Sequence, residues 1–316
     1  MKHIALLSFF LFLAGALSGQ STLPEMKDWF MSVGEWGSSP ELYVAEFGSG
    51  SDTVVFLHGG WGGHHRGLIA ATAGLEGEFH FVLYDQRGSI YSPCPDTLVT
   101  FDSHIQDLER LRRELGLRRL SIVGHSMGAV LACAYAERYP DRVRRLTLVS
   151  PANLRNPLSQ KEDSVANAQF EAHRALMESG RVAEELQKFG LSDGDLMSKG
   201  QTALFRVQFA NRFLYDITKW PSLTGGRSLY QGQIFELTAQ TYPKGGWDYV
   251  TELSSQSYPV NLIIGSHDFL DFGNGLISGW ADRIDRAQFY PIPNAGHMVW
   301  LDQPDAFREA LRSSLR

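Results

Sequence analysis

Cysteine is scarce in this chain: Cys94 and Cys133 are the only two among 316 residues. So small a number excludes a scaffold stapled by several disulfides. An excess of positive charge is missing as well. Lysine and arginine total 29 against 35 acidic residues, a net charge of −6, so no basic field is available to hold nucleic acid or an anionic membrane. The sequence shows no internal repeat and no low-complexity segment, which argues against a repeat array. What remains is ordinary globular composition, 43% hydrophobic and 20% charged, with apolar residues enough for one large domain or two smaller ones.

The first residues differ from the rest. Lys2 and His3 precede an apolar run from Ile4 to Leu13, followed by the small residues Ala14-Gly15-Ala16-Leu17-Ser18-Gly19. That order predicts a secretory signal peptide over residues 1–19, cleaved between Ser18 and Gln20, and hence export to the periplasm or the medium. The run falls well short of the roughly 20 residues of a membrane span. An exported chain permits a disulfide between Cys94 and Cys133. Cys133, on an apolar helix, also reads as a small core residue, and both readings stay open.

Between residues 41 and 150 the pattern alternates. Thr53–His58, Phe79–Tyr84, Leu120–Val123 and Val143–Val149 are short apolar runs that predict buried strands. Ile105, Leu108, Leu111 and Leu115 fall at helical spacing before Gly116, and a second helix is expected from Ala129 to Tyr139, ahead of Pro140. Strands buried on both faces and alternating with helices predict an α/β fold with a mostly parallel sheet flanked by helices. Residues 151–258 break the rhythm, with helical character from Phe170 to Gln187 and scattered aromatics thereafter. Strands resume at Asn261–Ile264 and Ala287–Tyr290, and a last helix is expected from Pro304 to Leu315. The expected organisation is therefore a core of residues 20–150 and 259–316, interrupted by a helical cap over 151–258.

The strongest local pattern is Gly124-His125-Ser126-Met127-Gly128, a G-x-S-x-G placed after a strand and before a helix. Such a turn is too sharp for side chains at the glycine positions, and it lifts the serine hydroxyl to the sheet edge as a nucleophile. A serine hydroxyl needs a base. Downstream lie His173, His267 and His297. His173 falls in a helical stretch and is expected at the surface, whereas His297 follows the last strand and is the expected base. The orienting carboxylate should end the preceding strand, where Asp268 is the candidate and Asp271 the alternative. The oxyanion hole should use the backbone N–H of Met127 and one from the loop His58-Gly59-Gly60-Trp61-Gly62-Gly63, with Gly60 as first candidate and Trp61 as second. Trp61 is also an expected substrate contact.

Other conspicuous residues have plainer readings. His64 and His65 are adjacent and lack a patterned carboxylate, so they predict solvent-facing or cavity-lining side chains and no metal. Arg87, in Asp85-Gln86-Arg87-Gly88, reads as a buried arginine satisfying backbone carbonyls. The aromatics of 205–235 fit a substrate lining and a small helical core equally well.

Together these segments resemble the proline iminopeptidase branch of the α/β-hydrolases. The likeness rests on HGGWGG at 58–63 against that family's HGGPGG, DQRG at 85–88 followed by Ser92, the turn at 124–128, GSHD at 265–268 and AGHM at 295–298. It implies a helical cap, no cofactor, oxyanion amides from Gly60 and Met127, and release of N-terminal residues from short peptides. The sequence departs from the family at Trp61, in place of proline, and at GHSMG, in place of GGSWG. No match is found for the cap glutamates that hold the substrate ammonium in that family; Glu171, Glu184, Glu185, Glu236 and Glu252 are available. Three functions follow as expectations: an exported aminopeptidase, a carboxylesterase on small esters, and a non-enzymatic ligand-binding module.

Overall fold

The computed structural model describes residues 25–34, 39–191 and 196–316; the expected signal peptide lies outside them. Eight strands form one sheet: β1 (Lys27–Ser32), β2 (Glu41–Phe47), β3 (Asp52–Leu57), β4 (Phe79–Tyr84), β5 (Leu120–His125), β6 (Val143–Val149), β9 (Val260–Gly265) and β10 (Ala287–Ile292). Two short strands, β7 (Arg155–Asn156) and β8 (Trp247–Asp248), make a separate ribbon. The sheet order is β1-β2-β4-β3-β5-β6-β9-β10. β1 and β2 are antiparallel to their neighbours, and every pairing from β4 across to β10 is parallel.

The central strands are apolar on both sides because helices cover both. Along β3, Val55 and Leu57 join one cluster while Val54 and Phe56 join the other. Val82 and Tyr84 of β4, set against Phe81 and Leu83, show the same alternation. The first cluster is closed by helices Phe101–Glu114, Met127–Arg138 and Gly275–Ala281, the second by Pro304–Leu315. Cys133 sits in the first cluster, Cys94 packs at its margin, and both thiols are free.

The segment between β6 and β9 is mainly helical. Where one helical stretch was expected near 170–187, two helices stand, Gln160–Met177 and Arg181–Lys188. Gly180, with φ 89°, breaks them, and Ser159 opens the first through a capping box with Glu162. Helix Ser198–Phe213 and the turns after it hold a third cluster of Val207, Ala210, Leu214, Ile217, Trp220 and Leu223, against which Met298 and Leu301 of the core also pack. Among the described residues no helix is long and apolar enough to cross a membrane.

Several polar groups are sealed under the sheet edge. Arg87 donates to Asp107 through Nε at 2.7 Å and Nη2 at 2.5 Å, and to the Leu98 carbonyl at 3.0 Å. Its main partner is thus a buried carboxylate, with one carbonyl beside it. Removing Asp107 would strand that guanidinium. Asp107→Ala should therefore lose about 3–5 kcal/mol in urea unfolding, and a loss under about 1 kcal/mol would contradict the pairing.

His58, His104 and His125 are also buried. The His58 Nε2 accepts from the Gln86 amide at 3.0 Å, which makes that ring neutral. Burial lowers all three rings from 6.5, to about 4 for His58 and about 3 for His104 and His125. Below pH 6.5 the unfolded chain takes up protons on these rings that the folded chain refuses. Stability should accordingly be complete above that pH and decline on acidification, by up to about 1.4 kcal/mol per pH unit for each ring. Denaturant midpoints measured between pH 7 and 4 check this; a flat profile down to the carboxylate range would refute it.

Candidate functional site

Parallel strands bring their carboxyl ends to one edge, and the loops leaving that edge share a cavity of about 630 Å³. His58, Gly59, Gly60 and Gly63 reach it from β3, Ser126 and Met127 from β5, Phe269 and Leu270 from beyond β9, and His297 and Met298 from beyond β10.

Ser126 occupies the turn between β5 and helix Met127–Arg138, with φ 55° and ψ −119°. This is strained backbone for a non-glycine residue. The turn is held by the Ser126 amide donating to the Val149 carbonyl at 3.0 Å, and by the Ser126 carbonyl accepting from the Ala152 amide at 3.2 Å. A Cβ at Gly124 would lie 2.5 Å from the Gly128 oxygen, and one at Gly128 2.5 Å from the Leu57 oxygen. The strand and helix can therefore cross only where both positions lack side chains. Met127 begins the helix, where backbone N–H groups have no intrahelical partner.

His297 and Asp268 meet behind the cavity. The imidazole Nδ1 is 3.0 Å from both Asp268 oxygens, and the two side chains are 3% and 0% exposed. Asp268 Oδ1 also accepts from the Leu270 amide at 2.9 Å. Burial alone would raise this carboxyl, but the charge and N–H of His297 and the Leu270 amide outweigh it, and its pKa is lowered. Asp271 has another task. It accepts the Leu276 amide at 3.0 Å and the Ile277 amide at 2.7 Å, anchoring the first turn of helix Gly275–Ala281. Burial raises its carboxyl.

The loop that carries His297 is pinned by a residue the sequence did not single out. Buried Asp302 accepts from the Gly296 amide at 2.8 Å, the Tyr215 amide at 2.8 Å and the Asp216 amide at 3.1 Å. One carboxylate thus ties the histidine loop to the segment between β6 and β9. Its only sequence signal was an acidic residue five positions beyond His297.

Several expectations need correction. Trp61 does not face the cavity. It is fully buried, donates to the Tyr242 hydroxyl at 2.6 Å and stacks on His104 at 4.7 Å, because the glycine loop turns its side chain into the core. His173 is not at the surface; it is 5% exposed, with its ring near Phe269 and Phe272. His64 lines the cavity, whereas His65 is buried against Asp85 at 2.9 Å. Of the aromatics between 205 and 235, Phe205, Phe209, Phe213, Tyr230 and Phe235 line the cavity, while Trp220 belongs to the helical core. None of Glu171, Glu184, Glu185, Glu236 and Glu252 reaches it. Two cations do: Arg206 and Arg212.

Residues 52–304 match the family described as alpha/beta hydrolase fold. A proline iminopeptidase from Heyndrickxia coagulans is 35% identical over 266 residues, covering 82% of this chain and 88% of that one. Among solved structures, a thermophilic esterase from Thermogutta terrifontis superposes with a TM-score of 0.65 at 23% identity, over 92% of this chain and 98% of the other. A proline iminopeptidase-related protein from Thermus thermophilus does so at 0.61 and 23%, over 92% and 97%. The chain therefore belongs to the α/β-hydrolase fold family and is a hydrolase.

Proposed function

We propose that the protein is a serine hydrolase working through an acyl-enzyme, with Ser126 as nucleophile, His297 as general base and Asp268 as the orienting carboxylate. The observation that carries this reading is the His297 Nδ1 contact of 3.0 Å to both Asp268 oxygens, beside the cavity that Ser126 lines. An ionised Asp268 holds the proton on Nδ1 and leaves Nε2 free to accept one. Ser126 Oγ attacks the substrate carbonyl as His297 takes its proton. The oxyanion receives the backbone N–H groups of Met127 and Gly60, and His297 returns the proton to the leaving group. Water, deprotonated by the same histidine, then releases the acid.

Small esters are the substrates we favour. A free-amine peptide calls for a carboxylate against its ammonium, and among the described residues lining the cavity there is no aspartate or glutamate. The aminopeptidase reading is the second, favoured by the proline iminopeptidase from Heyndrickxia coagulans. Export is also proposed, on the pattern of Lys2, the Ile4–Leu13 run and the small residues to Gly19.

Ser126→Ala should abolish fluorophosphonate labelling and turnover, and Asp268→Asn should lower kcat by about 10⁴. Asp271→Asn should instead chiefly lower stability, by about 1–3 kcal/mol, through its helix contacts. Persistent labelling of the alanine variant, or a crippling effect confined to Asp271→Asn, would overturn the assignments. In the substrate comparison, nitrophenyl esters should turn over faster than prolyl or alanyl arylamides. Turnover of the arylamides that disappears on N-acetylation would favour the aminopeptidase. Export predicts a mature N-terminus between Ser18 and Gln20 in protein collected outside the cytoplasm, read by intact mass; a full-length chain there would refute it.

A further inference from the structure

The cavity's charge is opposite to that of the molecule. The chain carries 35 acidic and 29 basic residues, yet the described cavity lining holds Arg206 and Arg212 and no carboxylate. Both arginines lie on helix Ser198–Phe213. Neither pairs with an acidic side chain among the described residues.

The two guanidinium groups are held in place without being neutralised. Arg206 donates through Nε and Nη2 to the Gly225 carbonyl, at 3.1 and 2.9 Å. That contact fixes its plane and leaves Nη1 without a hydrogen-bond partner among the described residues. Arg212 rests over the Phe269 ring, with its guanidinium carbon 4.7 Å from the centroid, and lies 5.7 Å from that of Phe213. The Phe269 ring is in turn 4.7 Å from the His297 ring. A single aromatic ring thus separates Arg212 from the proposed base. Around the arginines the lining is mostly apolar, including Phe205, Phe209 and Leu223, with His64 and Thr224 as polar neighbours beside Gly225.

We propose that the substrates are carboxylate-bearing esters, with an apolar body against the phenylalanines and the free carboxylate paired with Arg206 and Arg212. This rests on the serine hydrolase reading and specifies the substrate class of the same site. Arginine suits the task because its planar fork presents paired donors to a carboxylate and stays charged at any working pH. The reaction remains ester hydrolysis: water adds across the acyl–oxygen bond, giving an acid and an alcohol, and the second carboxylate is a handle that does not react.

Two matched pairs of esters test the proposal and separate the sides of the bond. Mono-4-nitrophenyl glutarate against 4-nitrophenyl butyrate places the charge on the acyl side; 4-butyryloxybenzoate against its methyl ester places it on the leaving group. In at least one pair the anionic member should have the higher kcat/KM, by about tenfold at low salt, since partly exposed charge pairs contribute modestly. That preference should shrink as ionic strength rises towards about 1 M, where screening acts within about 3 Å. It should also be lost in the Arg206→Gln/Arg212→Gln double variant, with folding checked by thermal melting. Equal or lower kcat/KM for both anionic esters would overturn the proposal, as would a preference retained in the folded double variant. If the double variant does not fold, competitive inhibition of the unaltered protein decides: 4-phenylbutyrate should inhibit and 4-phenylbutyramide should not, and equal inhibition counts against the proposal. Fluorophosphonate labelling of the unaltered protein keeps the outcomes apart. Labelling without anion preference removes only this proposal, whereas no labelling and no ester turnover removes the hydrolase assignment beneath it.

Discussion

The structure turns on a close crossing, where β5 runs into the helix that starts at Met127. Ser126 holds φ 55° there, a conformation that costs on the order of 1–3 kcal/mol and persists only when its surroundings leave no alternative. Those surroundings are the sheet itself. The Val149 carbonyl at the end of β6 accepts the Ser126 amide, and the β3 backbone at Leu57 lies so near that Gly128 must lack a side chain. Two neighbouring strands and one helix therefore define the position of one hydroxyl. The apolar packing on both faces of the sheet supplies the stability that the turn draws on.

Among the buried carboxylates at the sheet edge, Asp268 and Asp302 have different tasks. Asp268 faces His297 and is kept ionised by it against the cost of burial. The Asp302 carboxylate takes its hydrogen bonds from three backbone amides in two segments distant in sequence, with the Lys219 ammonium near enough to favour its charge. Its burial raises its pKa despite those amides. The first sets the orientation and tautomer of the imidazole, and the second sets where the loop bearing that imidazole lies. For the proposed base both matter, since an imidazole displaced by about 1 Å would lose much of its catalytic value.

How much of this was legible in the sequence follows from how locally each feature is encoded. β5 and β6 could be read because strands covered on both faces must be apolar throughout. β1 and β2, the antiparallel edge pair, could not. Their runs KDWFMS and ELYVAEF mix charges with apolar residues: β1 lies at the sheet edge, and in β2, paired on both sides, Glu41 is exposed while Glu46 accepts from the Trp29 indole. The turn at Ser126 was legible through its two glycines, which stand together in one short motif although Gly124 answers to the nearby Gly128 backbone and Gly128 to the β3 backbone at Leu57. The choice of Asp268 over Asp271 rested only on its nearness to the end of β9, and it is the fold that shows which of the two meets His297. Trp61 misled for a related reason: the sequence places it in the loop but does not say which way its ring points. Arg206 and Arg212 belong to no motif, and they matter only because helix Ser198–Phe213 lies over the cavity.

That contrast bears on how the molecule divides its work. The proposed chemistry comes from loops at the carboxyl edge of the sheet, whose geometry is constrained by strands on either side. Much of the cavity wall comes from the segment between β6 and β9, whose own small cluster of Val207, Ala210, Leu214, Ile217, Trp220 and Leu223 packs beside Met298 and Leu301. Substitutions at Phe205 or Arg206, on the cavity side of helix Ser198–Phe213, bear on what the cavity accepts, whereas Arg212 and Phe213 also pack on Phe269, in the loop after β9. Likeness to relatives across the sheet thus shows the α/β-hydrolase family and is weak evidence for the substrate. An iminopeptidase relative can share the serine turn while this chain presents arginines to the cavity and no acid. In the proposed reading the substrate is selected by charge and shape on the wall that helix Ser198–Phe213 lends to the cavity.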